Sequence, residues 1–230
     1  MNKGIIVRLS TSIVAVYMIG IPATGWAQVT SVSPSSSLPA EGGVCELHVW
    51  TSTDYVAQQH GLLEGFGAVG AIVDMAVSKR PARDIGGQMA QYLDVDAEFA
   101  ELQKVDLATM LKRPGLRIVA EPGVLSWKET KSLSKNSRRR TSSTAQCYAE
   151  IIISSVVYSK AALFRGNLYV NIAYRDFTGR TLPTFVLGFG KTALEKFPAR
   201  ADDQADAARA EIRDAFRAAF AAYAMKKLTS

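Results

Sequence analysis

The chain has 230 residues, with 27 lysines and arginines against 21 acids and a formal charge of +6. That surplus is too mild for the strongly basic stripe of a nucleic-acid binder, so no nucleic acid is expected as a partner. The length suits one domain with a sizeable core, and beyond the N-terminal segment no stretch approaches the roughly 20 apolar residues of a bilayer span.

Residues 1–27 carry the three parts of a cleavable export signal in order. Lys3 and Arg8 give a positive start without an acid, and Leu9 to Ile21 is a mostly apolar run. Pro22 then breaks the helix, and Gly25 and Ala27 offer small residues for cleavage before Gln28. Without this segment the charge falls to +4 on 203 residues, a chain expected in the periplasm or outside the cell. No cysteine follows the apolar run directly, which argues against a lipoprotein. Residues 28–43 are rich in Ser, Pro and Gly and read as a flexible leader. The remainder, 44–230, reads as a single domain.

Val44 to Trp50 reads as the first strand, with Leu47 and Val49 on one face and Glu46, His48 and Trp50 on the other. A helix is expected from Asp54 to about Lys79. Its middle, Gly61 to Met75, is apolar and holds four glycines, which cost helix stability and point to burial or a partner. Shorter helices are expected at 84–104 and 107–113, with Asp94 and Asp106 as caps and Pro114-Gly115 as a stop. Leu116 to Glu121 reads as a strand. From Lys128 to Thr144 the chain turns polar and basic, with Lys128, Lys131, Lys135, Arg138, Arg139 and Arg140 opposed only by Glu129, and reads as a mobile loop.

Cys147 to Ser159 is a long strand rich in Ile and Val. Asn167 to Phe177 alternates cleanly, with Leu168, Val170, Ile172 and Tyr174 on one face and Asn167, Tyr169, Asn171 and Arg175 on the other. Such alternation suits an antiparallel sheet covered on one side. Thr178-Gly179-Arg180 makes a hairpin into Thr181–Gly188. A long helix runs from Asp202 or Asp203 to about Lys227, striped by Ile212, Phe216, Phe220 and Tyr223. The fold class is therefore α+β: a mostly antiparallel sheet with helices on one face and a long C-terminal helix. In arrangement alone, over most of 44–228, this is similar to small periplasmic envelope-assembly domains such as that of the curli-secretion lipoprotein. That likeness implies a supporting role in the envelope and rests on no motif.

Several motifs fail on context. Gly65-Phe-Gly67-Ala-Val-Gly70 matches a dinucleotide fingerprint in letters but follows no adjacent strand, and Gly190-Lys191-Thr192 lacks the P-loop glycine five residues earlier. His48 and His60, with Cys45 or Glu46, have no metal-ligand spacing, and no Gly-x-Ser-x-Gly elbow occurs. No metal or cofactor is expected. Cys45 and Cys147 are the only cysteines and, in an oxidising compartment, read as one disulfide. The leading function is a non-enzymatic exported binding or envelope-assembly protein. Its candidate binding residues are Lys135, Arg138, Arg139 and Arg140 on the basic loop, and Tyr169, Asn171 and Arg175 on the strand face. Anionic envelope components or another envelope protein are the expected partners. The alternatives are a hydrolase using strand carboxylates such as Glu46, Glu121 and Glu150, and a small-ligand carrier with its pocket under the Gly-rich helix.

Overall fold

The computed structural model describes residues 44–60, 82–161, 165–180 and 182–229. The export signal, the leader and the Gly-rich stretch 61–75 lie outside the described residues. Six strands form one sheet: β1 (Glu46–Trp50), β2 (Tyr55–His60), β3 (Arg117–Ala120), β4 (Tyr148–Ala161), β5 (Gly166–Asp176) and β6 (Thr184–Leu194). Five helices accompany them among the described residues: α1 (Ala82–Tyr92), α2 (Val95–Gln103), α3 (Leu107–Met110), α4 (Trp127–Ser132) and α5 (Ala205–Lys227).

The sheet is mixed rather than mostly antiparallel. Its order is β3-β1-β4-β5-β6, with β2 also on β4. β1 runs parallel to β3 and β4, and β2 runs parallel to the second half of β4, whereas β4, β5 and β6 are antiparallel neighbours. Parallel neighbours need a long crossover: residues 51–116, which include β2, separate β1 from β3, and residues 121–147 lead from β3 to β4 on the other side of β1. The disulfide fixes this arrangement: Cys45 and Cys147, each one residue ahead of the Glu46–Tyr148 register pair, are bridged with their Cα atoms 4.6 Å apart.

One face of the sheet carries the main core. Leu47, Val49, Ile151, Ile153, Leu168, Val170 and Ile172 meet Ile85 and Met89 of α1, Leu102 of α2, and Ile212, Phe216 and Phe220 of α5. A bulge between Ile153 and Ser155 keeps Val156 and Tyr158 on this face, where an unbroken alternation would have turned them away. α5 presses directly on β6, and a Cβ on Gly190 would fall 1.7 Å from the Ala219 carbonyl oxygen. Only glycine allows that approach.

Local signals explain most boundaries. Asp94 accepts from Ala97 N at 2.8 Å and Asp106 from Thr109 N at 3.1 Å, so both cap helices as their positions suggest. Gly179 sits at φ 65° in the β5–β6 turn. The start of the expected 54–79 helix is instead strand β2, because Tyr55 and Ala57 gain core packing beside β4 that outweighs local preference. The rest of that expected helix lies outside the described residues.

Candidate functional site

The second face of the sheet gathers most of the chemistry-bearing side chains. Strand register lines up Val119, His48, Glu150, Arg175 and Phe185 in one row. The next row holds Trp50, Ile152, Ala173 and Leu187, and beyond the bulge come Ser155, Asn171 and Phe189, then Val157, Tyr169 and Lys191.

The first two rows are covered by the segment read from sequence as a loop. Residues 127–132 form α4 and 133–135 a 3-10 turn. A capping box starts α4: Ser126 Oγ accepts from Glu129 N at 3.3 Å, and the Glu129 carboxylate takes Ser126 N–H at 2.8 Å. Leu125 and Leu133 then pack on Trp50, Ile152 and Ala173 in a small second core. Propensity alone misses this helix; the Ser126-x-x-Glu129 spacing marks it.

A buried ion pair fastens the following residues. Arg175 Nη1 lies 2.6 Å from Glu150 Oε2, and both side chains are fully buried. Arg175 Nη2 also donates to the Asn136 carbonyl and, at 3.0 Å, to that of Arg138. Glu150 Oε1 accepts Arg140 N–H at 2.7 Å and the Tyr148 hydroxyl at 2.9 Å. Burial pushes the Tyr148 hydroxyl well above its ordinary range, and the Glu150 carboxylate adds to the shift. Arg175 is therefore a clamp holding residues 136–140 to the sheet, not part of an open strand face. Arg139 stacks 4.5 Å from the Tyr148 ring centroid and Arg140 5.3 Å from that of Trp50, so their charges are drawn onto aromatic surfaces. Lys128, Lys131, Lys135, Arg138 and Arg140 remain exposed on the outside of the clamped segment, and Arg139 is half-buried.

Beside the clamp lies a second polar cluster. His48 Nδ1 is 2.6 Å from Glu121 Oε1 and Nε2 is 3.0 Å from Glu46 Oε2. Ser143 Oγ donates to Glu46 at 2.6 Å, and Arg117 pairs with its other oxygen. The Ser143 and His48 hydrogen bonds, with help from Arg117, hold the Glu46 carboxyl down to about 2. Both imidazole nitrogens are occupied by carboxylates and the ring is buried, so β1 is tied to β3 and to the chain before β4. The three carboxylates considered for catalysis thus each have partners in place. Among the described residues no group of His, Cys, Asp and Glu is arranged to hold a metal ion.

The far rows differ. Tyr169 and Asn171 are half-buried, and Asn171 Nδ2 donates to Ser155 Oγ at 2.9 Å. The Tyr169 ring lies 5.7 Å from that of Phe189, and Lys191 Nζ sits 5.4 Å from the Tyr169 centroid. Phe189 is 58% exposed. The structure joins Tyr169 and Asn171 in this platform and adds Phe189 and Lys191, which the sequence reading passed over. Continuing the two-residue alternation through Phe185, Leu187, Phe189 and Lys191 would have found them.

No family model, curated protein or solved structure matches the chain. The disulfide fits an exported protein. Among the described residues no helix is long and apolar enough to cross a membrane.

Proposed function

We propose that this is an exported, non-enzymatic binding protein that supports the cell envelope. It engages an anionic envelope component or another envelope protein through the second face of its sheet. One observation carries this reading: an ordered basic segment and an aromatic platform lie side by side on the same face. Lys128, Lys131 and Lys135 project from α4 and the turn after it, and Arg138 follows. Their charge steers an anionic partner from a distance and is screened by salt. Tyr169, Phe189 and Asn171 supply the close contact, with the aromatic character enriched at interface centres.

The test is retention of the purified protein on envelope fractions at low and high ionic strength. The triple variant Lys131→Ser, Lys135→Ser, Arg138→Ser is expected to lose retention at low salt, with the deficit closing as salt rises. Tyr169→Ala is expected to weaken retention at every salt concentration. If neither variant differs from the parent, the second face is not the binding surface and the reading fails.

A further inference from the structure

We propose that β6 is a dimerisation edge, at which a second copy of this chain adds antiparallel about a two-fold axis at Gly190. Sheets end in strands whose outer N–H and C=O groups lack a partner, and proteins blunt such edges with short strands, prolines, bulges or projecting charge. The opposite end of this sheet obeys that rule, because β3 has four residues and begins with Arg117. β6 does not. It has eleven residues without proline, pairs with β5 in unbroken register, and has no strand on its outer side among the described residues. Its one charged residue, Lys191, is drawn back over Tyr169 of its own sheet rather than guarding the edge.

The strand suits its own copy. In the register centred on Gly190, Phe189 faces the second copy's Lys191 twice over, and the two lysines never lie opposite each other. Like charges directly opposite destabilise a strand pair, whereas an ammonium beside an aromatic ring attracts it. The covering helix agrees with this register. α5 turns Arg213 and Arg217 toward α1 and α2, where they bond the Tyr92 carbonyl and Glu101. Its other flank lies beside β6, since Glu211 takes the N–H groups of Glu195, Lys196 and Phe197 just after the strand. That flank is alanine at 218 and 222, with Lys226 at the far end. Small side chains let two antiparallel copies of α5 lie side by side, with Glu211 of each toward Lys226 of the other. The two aromatic platforms would then continue into one surface. The β6 edge pairs with a second copy in this way whether or not that surface binds the envelope.

The experiment is sedimentation equilibrium of the protein purified from an oxidising compartment with its disulfide intact. The parent is expected to dimerise with concentration. Phe189→Lys, at an exposed position, opposes lysines across both symmetry-related contacts and is expected to weaken the dimer about tenfold. Phe189→Lys with Lys191→Glu restores opposite charges in this register alone and is expected to recover to within about threefold of the parent. A parent that stays monomeric to millimolar concentration overturns the proposal. So does a folded Phe189→Lys protein, checked by circular dichroism, that dimerises like the parent, or a double variant that fails to recover. Should Phe189→Lys not fold, Ala193→Lys, which opposes the second copy's Leu187, takes its place and must weaken the dimer.

Discussion

The two halves of the second sheet face hold similar residues and use them in opposite ways. Near the disulfide, Arg175, Glu150, Arg139, Tyr148 and Trp50 are consumed by contacts with one another and with the 133–143 segment. Beyond the bulge, Tyr169, Asn171, Phe189 and Lys191 form a platform that no described helix or loop covers. An arginine beside an aromatic on one face is therefore not by itself a docking signature. What separates the halves is burial: the fully buried Arg175 must be paired, whereas a half-exposed tyrosine can serve a partner.

The comparison breaks most visibly at Arg175. Arg175→Met strands the Glu150 carboxylate without its cation and is expected to cost about 3–5 kcal/mol in urea unfolding. Adding Glu150→Leu should recover only part of that loss, because it removes the unpaired charge but leaves the Arg140 N–H and the Tyr148 hydroxyl without their acceptor. If the single change proves mild, the clamp is not structural. Next comes Cys45→Ala, which frees β1 from β4 at the clamped end and should cost about 2–5 kcal/mol. Mass spectrometry under non-reducing conditions should find no alkylatable thiol in the parent protein.

Glu98 of α2 sharpens the contrast, as a buried carboxyl with no cation paired to it among the described residues. Burial pushes it up to about 8, against bonds from Ser52 N–H at 2.9 Å and the Tyr55 hydroxyl at 3.1 Å, and Asp94 adds to the rise. The folded protein thus holds a proton that the unfolded chain releases near 4.5, so stability falls as pH rises from about 4.5 to about 8. Glu98→Gln should flatten this slope and gain about 2 kcal/mol over the parent at pH 6. Denaturant midpoints at pH 4.5, 6 and 8 measure it, and parallel profiles for the two proteins would contradict it. The smallest stability effect belongs to Tyr169→Ala, expected to cost about 1 kcal/mol or less while still lowering envelope retention. A large loss of stability there would make the platform part of the core.

Much of this was legible in the sequence where a local rule acts. The period-two alternation of 167–177, the Asp94 and Asp106 caps and the Ile212–Tyr223 stripe all correspond to what the structure contains. What escaped depends on distant partners. The mixed sheet follows from crossovers that no local pattern encodes, although the two cysteines each preceding a strand already hinted that β1 and β4 start together. Arg175 has the sequence position of a solvent-facing residue, and only the return of residues 136–140 over the sheet buries it. The basic run hid a helix because charge reads as solvation, and the apolar anchors Leu125 and Leu133 are too far apart to form a visible stripe.

The most direct test of this division of the second face is amide hydrogen exchange, followed on the protein alone and again when bound to the envelope fraction that retains it. In the free protein the Arg140 amide, bonded to Glu150, should be protected along with its neighbours in 136–143. On binding, new protection should appear at 167–171 and 187–191 and leave the interior bonds of 136–143 unchanged. A segment 136–143 that exchanges like unstructured peptide in the free protein, or binding-induced protection confined to that segment, would contradict the account.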